Sequence, residues 1–176
     1  VLRVDHPDIM EFCQAKRQLG ELTNFNVSVG VTDEFMRAVE AESDFDLIHV
    51  AEPTELQKQN GARYDSERKV WIYSSVNAKA LYDEVIRLTY DFAEPGVLYI
   101  DRMNEQNNLR GLGELLEATN PCAEQPLPSY GCCCLGSVNL SKLVVDYFTD
   151  KALLNWGLLA TVVQIAVRML DNVLDL

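Results

Sequence analysis

Apolar positions recur along this chain with helical spacing in some stretches and strand-like alternation in others. Asp5, His6 and Pro7 form a helix-start signal, because a short acceptor side chain caps free amides and proline suits the first turn. Ile9, Phe12 and Cys13 then fall on one face. Residues 16–24 are polar, contain Gly20 and show no period, which predicts a loop. The alternation Phe25-Asn26-Val27-Ser28-Val29 predicts a strand with its apolar residues on one side. Thr32 suits the N-cap of a helix running to about Glu42, and residues 45–50 and 69–73 predict two more strands.

Asn77 begins the clearest helix, which reaches about Glu94 with Ala80, Leu81, Val85, Leu88 and Phe92 on its inward stripe. Pro95-Gly96 ends it, and the continuous apolar run 97–100 predicts a strand buried on both faces. Helical period returns over 153–176 in Leu159, Val163, Ala166, Leu170 and Val173. Helices alternating with strands predict an α/β fold rather than an antiparallel sheet. The first residues enter at once into a helix start and the last helix meets no Gly or Pro terminator, so the expectation is a segment of a longer protein, cut at both ends.

Composition narrows the classes of function. The 176 residues, 48% hydrophobic and 24% charged, fit one globular domain. A formal net charge of −12 argues against a nucleic-acid or acidic-membrane surface, since a polyanion is repelled. No run approaches the roughly 20 apolar residues that cross a bilayer, and the N-terminus lacks a basic-then-apolar signal, so the expected compartment is the cytoplasm. The five cysteines, at 13, 122, 132, 133 and 134, are odd in number and match no disulfide framework; they are expected to be reduced or redox-active thiols. Cys13, on an apolar helix face, is expected in the core.

The chemistry concentrates after residue 119. Pro121, Pro126 and Pro128 place three prolines in eight positions, which forbids a helix and holds Cys122 on a stiff, extended or looping segment. In extended chain Asn120, Cys122 and Glu124 would project from one side. An amide that binds hydroxyls, a thiol that donates hydrogen and a carboxylate that takes a proton suit a polyhydroxylated substrate such as a sugar. The bland alternative is an inert cysteine beside a solvated glutamate. Cys132, Cys133 and Cys134 are adjacent, unlike the Cys-x₂₋₄-Cys spacing of structural zinc, and neither His6 nor His49 has a ligand-like neighbourhood, so no metal site is expected. Gly30, Gly96 and Gly136 are expected to be backbone necessities, since no phosphate-cradling glycine motif occurs.

The string Asn120-Pro121-Cys122-Ala123-Glu124-Gln125, followed by Cys133-Cys134-Leu135-Gly136-Ser137-Val138-Asn139-Leu140, resembles the active-site loop and following strand of ribonucleotide reductases. Asn-Pro-Cys-x-Glu-Gln resembles the cobalamin-dependent class II form, whereas iron-dependent class I enzymes usually show Asn-Leu-Cys-x-Glu. The likeness also takes in His6-Pro7-Asp8-Ile9 through Lys16, Asn24 through Val29, and Pro95 through Asn104.

The resemblance implies a ten-stranded α/β barrel of two parallel halves, of which residues 1–176 form part, with a finger loop carrying Cys122 at its tip. It implies reduction of ribonucleotides to deoxyribonucleotides by a thiyl radical on Cys122, generated with adenosylcobalamin. Glu124 would accept the 3′-hydroxyl proton and Asn120 would hydrogen-bond the substrate. Cys133 would be one of the redox pair, its partner lying upstream of Val1. Cys134 stands where the family often has Asn, which leaves the neighbouring cysteines open as the redox thiol; on a strand Cys133 would face the site, and Cys132 and Cys134 would face away.

Residues 16–24 resemble the loop that links an allosteric nucleotide site to substrate choice, with Arg17 and Gln18 as candidate contacts against a plain solvated loop. Implied partners are a ribonucleotide, a nucleoside triphosphate effector, a thioredoxin-like reductant and a second copy of the full-length protein. The segment alone is expected to be inactive. The alternatives are the large subunit of an iron-dependent class I reductase and a non-catalytic thiol or zinc-binding module.

Overall fold

Parallel strand pairing organises the first of the two units into which the chain divides, Val1–Gly131 and Cys132–Leu176. The computed structural model describes residues 1–17, 20 and 22–175. Along the first unit run β1 (Leu2–Arg3), α1 (Ile9–Gln14), β2 (Ser28–Val31), α2 (Asp33–Glu40), β3 (Asp44–His49), α3 (Glu55–Gln59) and β4 (Arg63–Asp65). Then come β5 (Val70–Asn77), α4 (Ala78–Phe92), β6 (Gly96–Tyr99), α5 (Ile100–Glu105), β7 (Leu116–Thr119) and β8 (Pro126–Pro128).

β2 lies between β1 and β6, parallel to both, with Leu2 opposite Val29 and Gly30 opposite Leu98. A central parallel strand is buried on both faces, so Ser28 is buried along with Val29 and Val31. The half-polar strand expected over 25–29 is therefore corrected: Phe25 lies outside it and is 64% exposed. Beside Ser28, a Cβ on Gly96 would sit 3.0 Å from the Ser28 hydroxyl, so any larger residue there would have to push that side chain aside. Gly30 is different: a Cβ there would meet nothing nearer than 3.7 Å, an ordinary contact. β6 is buried on one face only, since Leu98 is buried and Tyr99 is exposed, and Ile100 opens α5 instead of ending the strand.

The core gathers Ile9 and Cys13 from α1, Phe35 and Val39 from α2, and Leu81, Val85 and Leu88 from α4 around Val29 and Val31. Phe35 meets Phe45 edge to face, centroids 5.1 Å apart. Thr32 and Asn77 cap α2 and α4 as their sequence positions predict, accepting from the amides of Phe35 and Ala80. On α4 the buried stripe is Ala78, Leu81, Val85 and Leu88. Ala80 points away because it lies about 200° round the helix from Ala78, and Phe92, the last helical residue, runs past the core. Asp5 does not cap α1. Its carboxylate accepts from Arg3 Nε at 3.1 Å and Nη2 at 2.6 Å, and Asp8 precedes the helix without a side-chain cap.

Between α2 and α4 the fold departs from the purely parallel expectation. β3, β5 and β4 form an antiparallel sheet in that order, with Phe45 opposite Val76 and Tyr64 opposite Trp71. α3 and β4 lie in a polar stretch without apolar period, which is why the pattern does not announce them. The β4–β5 turn closes through Asp65, whose carboxylate accepts from the amides of Glu67 and Arg68 and from Arg68 Nε.

In the second unit β9 (Val144–Val145) pairs antiparallel with β10 (Leu153–Leu154), and α6 (Trp156–Val173) begins at Asn155, which accepts from the Leu158 amide. Leu159, Ala166 and Leu170 of the expected stripe are half-buried, whereas Val163 and Val173 are exposed. Gly136 packs against this helix, where a Cβ would come 3.4 Å from Leu170 Cδ1. Among the described residues the strands form a mixed α/β structure without closing a barrel, and no helix is long and apolar enough to cross a membrane.

Phe35→Ala should lower unfolding stability by about 3–5 kcal/mol, because it empties a fully buried site where α2 meets Phe45 of β3 and Tyr82 of α4. Urea denaturation followed by circular dichroism measures this, and a loss below 1 kcal/mol would place the core elsewhere.

Candidate active-site loop

β7 and β8 pair antiparallel, with Leu116 opposite Pro128 and Thr119 opposite Pro126, so residues 120–125 form a hairpin loop. Pro126 and Pro128 have no N–H, and β8 can donate to the ladder only through Leu127. Asn120 closes the loop instead. Its amide donates to the Gln125 carbonyl at 3.1 Å, and its Oδ1 accepts from the Gln125 amide at 2.9 Å. Its carbonyl accepts from the Ala123 amide at 3.0 Å, which makes residues 120–123 a tight turn with Pro121 in the second position and Cys122 in the third. Ala123 follows with a φ of 69°.

The segment expected to be extended or looping is a turn and not extended chain. The alternation that would project Asn120, Cys122 and Glu124 from one side does not apply. They share one loop in different settings: Asn120 is half-buried at the base, while Cys122 and Glu124 are exposed above it. Cys122 is a free thiol. Within the loop Asn120 uses Oδ1 and not Nδ2.

A residue that the sequence reading passed over supports this hairpin. Asn104, half-buried on α5, accepts from the Leu116 amide through Oδ1 at 2.8 Å and donates to the Leu116 carbonyl through Nδ2 at 2.9 Å. The same Nδ2 bonds the Ile100 carbonyl at 3.0 Å. Its signal lay in the string Asp101-Arg102-Met103-Asn104, at the end of a stretch already singled out for its likeness. A cavity of about 570 Å³ beside α5 and β7 is lined by Arg3, Asp33, Arg102, Arg110 and Glu117, and does not include Cys122 or Glu124.

The remaining candidates fall in several places. Cys132, Cys133 and Cys134 belong to the second unit, where Cys132 is exposed and the other two are half-buried. Residues 131–139 form no strand, so alternation does not sort these thiols, and Cys134 Sγ donates to the Leu170 carbonyl at 3.7 Å. Arg17 Nη2 donates to Glu84 Oε1 of α4 at 2.8 Å; Gln18 lies outside the described residues. Lys16 bonds both the Phe25 carbonyl and Glu94, whose other oxygen accepts from the Val27 amide at 3.0 Å. Those bonds anchor the two flanks of residues 16–24 on α4 and on Glu94, two residues beyond it. Cys13 is buried, and burial, with Glu84 nearby, pushes its thiol up to about 11. Among the described residues no three His, Cys, Asp or Glu side chains gather as a metal site.

A mixed α/β domain carrying an exposed thiol on a proline-bounded hairpin loop defines the class of structure. The chain belongs to the ribonucleotide reductase barrel-domain family, whose model matches residues 1–176. It is 36% identical to the vitamin B12-dependent ribonucleoside-diphosphate reductase of Thermoplasma acidophilum, over 99% of this chain and 20% of that protein. To the protein of the same name from Mycobacterium tuberculosis it is 38% identical, over 99% of this chain and 22% of the relative. The ribonucleoside-diphosphate reductase subunit alpha of Synechocystis is 27% identical over 99% of this chain and 24% of its own length. The chain thus spans about a fifth of the length of the first two relatives.

Two substitutions test whether the Asn120 side chain closes the loop. Asn120→Asp keeps an acceptor for the Gln125 amide and should keep that amide's protection from hydrogen exchange, whereas Asn120→Ala should expose it about tenfold. Equal protection in both variants would show that the side chain does not close the loop. Cys13 should resist iodoacetamide at pH 8 in the folded protein, because a thiol titrating near 11 is about one part in a thousand thiolate there. Rapid native-state labelling at Cys13, read by peptide mass spectrometry, would contradict its burial.

Proposed function

We propose that this chain is part of the catalytic barrel of an adenosylcobalamin-dependent ribonucleotide reductase, and that Cys122 is its radical-bearing residue. The observation that carries the proposal is the free, exposed Cys122 in a loop of sequence Asn-Pro-Cys-Ala-Glu-Gln, within a chain that matches the reductase barrel family throughout. In this reading the parent protein completes a ten-stranded barrel, and residues 120–125 are the finger loop inside it. The parent is a cytoplasmic homodimer that binds a ribonucleotide, a nucleoside triphosphate effector and a thioredoxin-like reductant.

The loop suits the cofactor in one respect: a hydrogen-abstracting radical must reach a sulfur from outside, and Cys122 is exposed on the third residue of a turn. Adenosylcobalamin supplies that organic radical when bound. Cys122 Sγ gives up its hydrogen and, as a thiyl, takes the 3′-hydrogen of the ribose. Glu124 accepts the 3′-hydroxyl proton, which helps the 2′-hydroxyl leave as water after protonation by the thiol pair. Asn120 Nδ2 holds a substrate hydroxyl, its Oδ1 being committed to the Gln125 amide. Cys133 and an upstream cysteine supply two electrons and end as a disulfide, and Cys122 returns hydrogen to the 3′-carbon. The balance is ribonucleotide plus dithiol giving deoxyribonucleotide, disulfide and water.

The names of the relatives at 36% and 38% identity favour the cobalamin form over the iron-dependent one. In this reading residues 16–24 are the effector-linked loop, with Arg17 and Gln18 as its candidate contacts to a base or phosphate, and Arg17 is paired with Glu84 of α4. Full-length protein supplied with adenosylcobalamin, a ribonucleoside diphosphate and a dithiol should form deoxynucleotide with no second subunit. Strict dependence on an iron-containing partner would replace this proposal with the class I form. One tightly bound zinc per chain with no turnover would replace it with the zinc-binding module. Glu124→Gln should lower turnover by about a hundredfold or more, as loss of a positioned proton acceptor does, with nucleotide affinity little changed. Wild-type turnover by that variant would remove Glu124 from the mechanism.

A further inference from the structure

We infer that Asn104 is a positioning residue that holds the Cys122 hairpin against α5, the helix that follows β6; this rests on the proposed role of Cys122. A two-stranded ribbon whose second strand is Pro-Leu-Pro has few ladder bonds of its own, so its placement depends on what grips it from outside. Asn104 grips it by pairing both polar groups of one side-chain amide with both polar groups of the buried residue Leu116. The pairing reproduces, from a helix, the two-bond exchange that a neighbouring strand would make.

The grip has a firm base. Asn104 Nδ2 also bonds the Ile100 carbonyl, which fixes its rotamer on α5. α5 follows directly from β6 and is tied to the start of α2, where Asp101 Oδ2 accepts from the Asp33 amide at 2.8 Å and Arg102 Nε lies 3.2 Å from Asp33 Oδ1. A second amide repeats the theme: Asn107 Nδ2 donates to the Glu114 carbonyl at 3.2 Å, just before β7. The path from β6 through α5 and Asn104 to β7 is continuous, and β7 runs straight into Asn120. Asn104 itself is not in the 120–125 loop. Its contribution is to where the thiol stands, not to the chemistry at the thiol.

The test uses the full-length protein, with hydrogen exchange by mass spectrometry and steady-state kinetics on the same samples. In Asn104→Ala, amides 116–119 should exchange about tenfold faster while strands 28–31 and 96–99 keep wild-type protection, as expected for losing two local hydrogen bonds. Turnover should fall about a hundredfold with KM for the nucleotide unchanged, the pattern of a misplaced reacting group. Exchange rising equally across the domain, or turnover within twofold of wild type, would overturn the inference.

Asn104→Asp tests the clamp by its chemistry, and serves if the alanine variant does not fold. Its carboxylate turns a second oxygen toward the Leu116 carbonyl, whereas its protonated form can donate and accept as the amide does. Protection of 116–119, normalised to wild type at each pH, should therefore recover about tenfold as pH falls through the carboxyl's titration. A pH-independent ratio would count against the clamp. If wild-type protein reduces no ribonucleotide, the functional proposal fails alone, and the exchange results still decide the role of Asn104.

Discussion

Two prolines in β8 leave the hairpin around Cys122 with one backbone donor on that strand, and the candidate site depends on how this shortage is met. Side-chain amides meet it. Asn120 closes the loop from within, Asn104 holds the hairpin from α5, and Asn107 fastens the chain just before β7. Each presents a donor and an acceptor on one rigid plane, which is what an under-bonded backbone needs. The prolines that cost the ribbon its ladder also stiffen the chain that carries the thiol.

That arrangement is only as firm as the sheet beneath it. β2, buried on both faces and paired on both edges, is the fixed element of the first unit, and the stripes of α1, α2 and α4 cover it. β6 joins its edge and passes directly into α5, so the residues that hold the hairpin are connected to that strand through one short helix. The antiparallel sheet between α2 and α4 adds to the core through Phe45 and Leu47 and is not on this path.

How much of this the sequence carried follows from the kind of signal each part leaves. The helices at Thr32 and Asn77 were legible because a capping side chain and an apolar stripe mark both start and face. β2 was misjudged because alternation describes a half-buried strand, and Ser28 is buried where a small hydroxyl meets Gly96. The loop motif was legible as chemistry, through the types and order of Asn120, Cys122 and Glu124, but not as geometry. Prolines restrict a chain without telling turn from extension, and the hydrogen bond from Ala123 to Asn120 decides for the turn. Asn104 lay in a stretch marked by its likeness, but its role was not legible, because its partners are backbone groups that any residue except proline at 116 would supply.

The claim that Cys122 bears the radical meets its most direct test in Cys122→Ser, made in the full-length protein and supplied with adenosylcobalamin, ribonucleoside diphosphate and dithiol. Serine preserves the turn and the exposure while removing a hydrogen that a carbon radical can take. The expected result is nucleotide binding within a few-fold of wild type and no detectable deoxynucleotide. Deoxynucleotide formed at the wild-type rate by the serine variant would contradict it.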